Sequence, residues 1–335
     1  MILKNLKILL TLSLGFLVIA VGMYFDDKSG KNAELPSESL IPTFDEILKE
    51  IAYIEFSNNS GKSIIEDVDG QWLITSSDNF PANTEILSRF FIQLREAKIV
   101  GAKTSRSDLL YKLGLDDENK MSLILKSASG EIIYDLEIGT YNYDFPGTYI
   151  KDTNEFQSYL VNTNLSADVS EFYWTPTDLI NIGKYQIQSV QIYSQNMINL
   201  VEENGTLKNQ NLPDGFATLS QDKINEMQNS LTDLQHNGFI LRTYLPSSPT
   251  FKVRYTLKNG TILFINFYDI SGEGVYITLD WNYLNNDIEI SKFINPLLDG
   301  NQLQVSSVSL LSEFAYNIPQ LFFDNNNLKL RAKSE

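Results

Sequence analysis

The sequence predicts an α+β protein: an N-terminal transmembrane helix followed by two tandem repeated modules, each an antiparallel sheet with a packed helix. Three observations carry this expectation. One apolar run sits near the N-terminus, strand-like segments are punctuated by glycine turns, and an order of hairpin, helix and hairpin occurs twice. The expected organisation is a membrane anchor over residues 1–26, a flexible linker over 27–42, and α+β repeats over 43–183 and 184–335.

The anchor is read from Ile8 to Phe25, a run without charge or proline. A spanning helix needs about 20 mostly apolar residues, with a lower limit near 17. Lys4 and Lys7 precede the run, and Asp26 and Asp27 follow it. Basic residues stay on the cytoplasmic side, so the expected location is the inner (cytoplasmic) membrane, single-pass, with the bulk of the chain outside. The alternative is a cleaved secretory signal with Ala20 and Gly22 at the cleavage site. The apolar run continues past both residues, which favours an anchor. Asp27 to Pro42 is polar, with two prolines, and reads as a stalk.

Composition narrows the function. The chain has 335 residues and a net charge of −16. With no Lys/Arg cluster beyond the N-terminus, a nucleic-acid partner is not expected, because phosphate binding needs a basic stripe. Absence of cysteine removes disulfides, thiolate chemistry and a lipid-carrying cysteine. Abundant Tyr and Phe favour strands.

The first module opens with Thr43 and Glu46 in capping-box spacing, then the strand Ile51–Phe56. The second opens with Ile187–Ile192. Each continues through a tight turn, Asp69-Gly70 or Asn204-Gly205. Such dipeptides supply the positive φ that two-residue hairpins need. A helix follows in each. Asn83 or Thr84 caps the first, whose stripe is Leu87, Phe90, Phe91 and Leu94; Ser220 caps the second, whose stripe is Ile224, Met227, Leu231 and Leu234. Ser129-Gly130 and Asn259-Gly260 then turn the next hairpins, and Tyr149-Ile150 and Tyr276-Ile277 mark the closing strands. Spacing between the copies shortens along the chain, so the first copy carries an insertion. It is assigned to Ser105–Gly114, as a short helix ended by Gly114.

Trp72-Leu73, Pro81-Ala82-Asn83, Leu113-Gly114-Leu115, Ile138-Gly139 and Gly147-Thr148-Tyr149-Ile150 occur in that order. This set resembles a bacterial family, the domain-of-unknown-function family 4340, over roughly residues 50–320. Leu113 stands where that family commonly has Tyr before Gly-Leu, with Tyr111 two places earlier. The resemblance implies one N-terminal membrane helix and an accessory role beside ABC transporters of the gliding-motility type. The implied partner is a transporter permease or another envelope protein. It brings no catalytic residues.

No residue cluster announces a reaction, so no enzyme activity and no cofactor are expected. His236, the sole histidine, is placed near the end of the second helix, where it favours the helix dipole. Asp116-Asp117-Glu118 lacks calcium-loop spacing and reads as a solvated turn. Asp144, Asp269, Glu273 and Asp280 are the acids available to a glycosidase, and nothing in the sequence brings two together. The candidate contact loop is Tyr141, Tyr143 and Phe145, with Tyr268 as its counterpart in the second copy. Loop aromatics offer large contact area with little entropy loss. Packing of these rings against their own sheet is the structural alternative. Three functions therefore compete: an anchored accessory or scaffold, a cell-envelope ligand-binding module using aromatic loops, and an envelope hydrolase. A reporter fused after Glu335 is expected to behave as extracytoplasmic; a cytoplasmic signal from that fusion contradicts the orientation.

Overall fold

The computed structural model describes residues 38–165, 167–194, 196–210, 212–282 and 312–332. The expected anchor and most of the linker lie outside the described residues. No helix among the described residues is long and apolar enough to cross a membrane. The architecture is mostly β with a few helices: two large antiparallel sheets. The balance between helix and strand expected from the sequence is therefore shifted, because the helices are short and the hairpins continue on both sides of them.

The first sheet contains β1 (Glu38–Ser39), β2 (Ile51–Asn58), β3 (Gly61–Val68), β4 (Gln71–Ile74), β5 (Phe80–Pro81), β6 (Lys98–Ala102), β7 (Met121–Ser127), β8 (Ile132–Asn142), β9 (Gly147–Asp152) and β10 (Ser158–Val161). Its order is β1-β6-β10-β9-β8-β7-β2-β3-β4-β5. β11 (Asp178–Ile180) pairs with β16 (Leu234–Gln235), and β15 (Phe216–Ala217) with β22 (Arg331–Ala332), as separate two-stranded ladders. The second large sheet contains β12 (Ile187–Tyr193), β13 (Met197–Glu203), β14 (Thr206–Gln210), β17 (Gly238–Leu241), β18 (Phe251–Leu257), β19 (Ile262–Ile270), β20 (Gly274–Asn282) and β21 (Phe314–Ile318). It runs β14-β13-β12-β18-β19-β20-β21-β17. Without its two terminal two-residue strands and read from the other edge, the first sheet runs β4-β3-β2-β7-β8-β9-β10-β6, the same sequence of hairpins.

Turn chemistry explains these hairpins. Asp69 and Gly70 have φ of 54° and 82°, and Asn204 and Gly205 have 52° and 84°. Positive φ at both central positions matches the right-handed twist of the paired strands. Gly130 and Gly260 likewise take positive φ.

Contacts divide the chain into two compact units. One holds the described residues within 1–50, 90–123 and 133–166; the other holds those within 51–89, 124–132 and 167–335. In the first unit, the short helix α1 (Phe44–Ile47) forms, but Thr43 makes no side-chain cap. The expected capping box is thus not built: Thr43 has φ −112° and ψ 31°, outside the extended geometry a cap needs. Deeper in this unit, buried Glu137 accepts hydrogen bonds from Lys120 Nζ at 2.7 Å and Lys151 Nζ at 2.9 Å.

The second unit is built on one apolar core. α3 (Gln221–Asn229) and α4 (Gln320–Asn326) supply Ile224, Met227, Phe322 and Phe323 to the inward faces of β12, β13, β18, β19, β20 and β21. Alternation along β18 buries Phe251, Val253, Tyr255 and Leu257 together, as a half-covered antiparallel strand requires. Ser220 Oγ accepts from Lys223 N, so the expected cap of α3 forms. The helix is shorter than its stripe. Ser230 Oγ donates to the Met227 carbonyl and the chain turns, leaving Leu231 in the turn and Leu234 in β16. All four stripe residues are buried, but only Ile224 and Met227 are helical.

Phe80, from the edge strand β5, enters this same core. Its ring stacks on Phe239 at 3.8 Å and meets Phe314 edge-on at 4.8 Å. Trp174 stacks on Phe56 at 4.5 Å, donates Nε1–H to the Asp168 carbonyl, and accepts at its own carbonyl from Asn83 N. Asn83 Oδ1 in turn accepts from Glu85 N and Ile86 N, capping α2 (Thr84–Glu96). On that helix Leu87, Phe90 and Leu94 are buried, as their spacing predicts, while Phe91 of the expected stripe is half-buried.

Burial alone raises the pKa of Glu137, but hydrogen bonds and charge from Lys120 and Lys151 outweigh it and hold the carboxyl below its ordinary value of 4.5. A carboxylate depressed in the folded state contributes stability above its unfolded pKa and loses it as pH falls through the folded value. Wild type is therefore expected to melt higher than Glu137→Gln near neutral pH, with the gap closing as pH falls below the ordinary Glu value. Melting curves of both proteins across that range check this; a gap independent of pH contradicts it.

Candidate functional site

Large apolar side chains are exposed at several places, Phe156 and Tyr185 among them; the tip of the β8–β9 hairpin holds two such rings on one turn. Asn142 pairs with Gly147 as the last ladder position, and residues 143–146 form the tip. Asn142 organises it. Its Oδ1 accepts from Asp144 N at 2.9 Å and Phe145 N at 3.1 Å, while its Nδ2 donates to Tyr149 Oη at 2.6 Å. An Asx turn of this kind substitutes for missing ladder bonds and fixes the backbone. Tyr143 remains 86% exposed and Phe145 71% exposed. Tyr141 is half-buried and meets Tyr143 edge-on, with ring centroids 5.0 Å apart. Of the expected contact loop, Tyr143 and Phe145 are thus presented to solvent rather than packed on their sheet.

The base of the hairpin shows why the tip stands where it does. Between Ile138↔Ile150 and Tyr141↔Thr148 the β8 side has one residue more than β9, a bulge at Gly139 and Thr140. Bulges bend a strand and redirect its continuation. Here the end of the 3₁₀ helix Ser107–Leu113 meets β8. A Cβ on Gly139 would lie 2.2 Å from the Leu113 carbonyl oxygen, and one on Gly147 would lie 2.1 Å from that of Val161. Gly114 ends the 3₁₀ helix at φ +65°, against Thr140, whose hydroxyl donates to the Leu113 carbonyl. The short helix expected before Gly114 is present, as 3₁₀ rather than α. It also carries Tyr111, 61% exposed, a ring outside the expected contact loop. Thr148 Oγ1 donates to the Thr163 carbonyl and accepts from Leu165 N, tying the start of β9 to the chain after β10.

The corresponding hairpin of the second sheet is different. β19 and β20 pair without a bulge from Ile262↔Asn282 to Ile270↔Gly274. The turn Ser271, Gly272 and Glu273 is exposed and has no ring. Tyr268, the expected counterpart of the contact loop, sits inside β19 opposite Tyr276 and is only 8% exposed. It offers no contact surface. The reason is length: β19 continues two residues beyond Tyr268, so the ring falls within the sheet and not at its end.

Of the other candidate polar residues, Asp280 and His236 are engaged. Asp280 forms a bidentate pair with Arg242 at 2.7 and 2.8 Å and accepts from Asn266 Nδ2 at 2.8 Å. No sequence pattern signalled this cluster, because its members come from three separate elements. Asp144, Asp269 and Glu273 are exposed. His236 lies between β16 and β17, beyond the helix end expected for it, because α3 stops at Asn229. The ring is buried, with Nδ1 3.0 Å from the Gly238 carbonyl and Nε2 2.9 Å from the Pro176 carbonyl. Rings of Phe80, Phe172, Phe239 and Tyr316 surround it. Burial lowers its pKa, against the two carbonyl contacts, which raise it. Both nitrogens are engaged in packing. A depression of about 320 Å³ lined by residues 39, 41–46 and Arg95 contains none of the expected contact residues. Among the described residues, no three His, Asp or Glu side chains converge as metal ligands.

The glycines beneath the tip coincide with the landmarks that carried the family resemblance, and the family match runs through them. A family model described as a domain of unknown function, DUF4340, matches residues 72–260, more than half of the 335-residue chain. The chain belongs to that family. Neither curated proteins nor solved structures yield a match.

Gly139→Ala is expected to destabilise the protein by roughly 1–3 kcal/mol, since the new methyl meets a carbonyl that cannot move without displacing the crossing. Gly101→Ala, where nothing lies within 4 Å, is the control and should leave stability within about 0.5 kcal/mol. Denaturant unfolding of both variants decides; equal effects contradict the crowded crossing.

Proposed function

We propose that this protein is a membrane-anchored, extracytoplasmic accessory or scaffold component that works by contact, with an ABC transporter permease or another envelope protein as partner. The carrying observation is the β8–β9 tip. Two large rings are held in solvent on a backbone locked by Asn142, at a place where the second sheet builds the same hairpin without any ring. The fold therefore does not require aromatics there. Rigid exposed aromatics are what contact hot spots are made of.

The anchor and the transporter partner rest on the apolar run at Ile8–Phe25 and on the family resemblance. The shared strand order of the two sheets supports a further part of the proposal, that the chain is a duplicated α+β module. An envelope-ligand module is less favoured, because ligand sites are concave and these rings stand on a projecting turn. A hydrolase is less favoured still, because Asp144 and Glu273 lie in separate turns, Asp269 is exposed near the end of β19, and Asp280 is tied to Arg242.

The test uses the full-length chain extracted from its own membranes in mild detergent. Tyr143→Ser with Phe145→Ser is expected to reduce recovery of co-purifying proteins by about tenfold, the equivalent of one lost hot spot. The melting temperature should shift by no more than about 2 °C, as for exposed substitutions. A large fall in melting temperature would make the rings structural and remove the loop as a contact site.

A further inference from the structure

We infer that the β8–β9 tip seats on a protein surface offering a lysine or arginine between two apolar recesses, with Tyr143 and Phe145 in the recesses and Asp144 against the cation. This rests on the contact reading and names the chemistry of the partner. Asp144 is exposed between the two exposed rings, and its carboxylate enters no ion pair among the described residues. The backbone N–H groups of both Asp144 and Phe145 are bound to Asn142 Oδ1, which holds the three residues on one ordered turn. A surface that closes over this turn to bury both rings takes water from Asp144 as well. Desolvating a carboxylate is unfavourable unless a cation and hydrogen-bond donors replace the water.

That requirement selects among occupants. A lipid surface accepts rings, but an anionic leaflet repels a chain of net charge −16. A second copy of this chain carries the same negative charge. A protein with a basic residue set between apolar side chains satisfies all three tip residues together. The net charge of the chain also speeds encounter with such a surface and makes it salt-dependent.

The experiment places a benzophenone amino acid at Tyr143 or Phe145 in the full-length chain in its native membranes, and sequences the photo-cross-linked peptides. The same probe at Ser271, in the corresponding turn, is the control. The expected adduct is a peptide of another protein containing Lys or Arg flanked by apolar residues. Asp144→Lys should lower its yield about tenfold and Asp144→Asn by less, and changing the partner's identified basic residue to Glu should restore the Asp144→Lys yield. Unchanged melting temperatures keep folding out of the comparison. Protein adducts that ignore Asp144→Lys, or that hold no basic residue, overturn the charge pairing while leaving the contact reading in place. Adducts on lipid alone, on a second copy of the chain, or equally strong from Ser271 overturn both.

Discussion

The approach of Gly139 to the Leu113 carbonyl is the constraint on which the first unit's surface depends. Two stretches of backbone meet there with no room for a methyl group; Gly147 approaches the Val161 carbonyl as closely, and a Cβ on Gly114 would lie 2.5 Å from the Thr140 side chain. The crossing pins the bulge in β8, and the bulge sets the direction of the hairpin end. Asn142 then locks the turn, and the placement of the rings is set by its geometry. Each of these contacts is local and polar or steric; none needs the rings themselves. A surface whose shape is fixed by other residues leaves its exposed side chains available for a partner.

The second unit rests on a different principle, apolar burial. Phe80 extends the core of β17 and β21 from an edge strand that belongs to the other large sheet. Trp174 closes the same region by stacking on Phe56 and by receiving Asn83 N, which joins the cap of α2 to the chain before β11. His236 belongs to this cluster. Two backbone carbonyls against its nitrogens and four surrounding rings make it a packing element.

Much of the hairpin framework was legible in the sequence, because positive φ at Asp69-Gly70 and Asn204-Gly205 has a steric cause that only a few residue types satisfy. Helical stripes were legible as burial but not as length. Leu231 and Leu234 keep a helical spacing and are buried, yet Ser230 ends the helix before them, and a serine hydroxyl bonding back to a carbonyl leaves no periodic trace. The exposed tip was half legible. Tyr143 and Phe145 stand beside Pro146-Gly147 and so near a turn, whereas Tyr268 was misplaced because β19 continues two residues beyond it. Arg242 and Asp280 were illegible as a pair, since only the folded sheet brings them together. The landmark glycines carried the family resemblance; their role in close backbone approach depends on contacts between elements distant in sequence.

Hydrogen exchange on the full-length chain, free and in its membrane complex, addresses the central claim most directly. Backbone amides of residues 141–147 should slow on assembly while those of 269–274, in the corresponding turn, stay unchanged. Equal exchange of the two turns in both states would contradict a contact role for the aromatic tip.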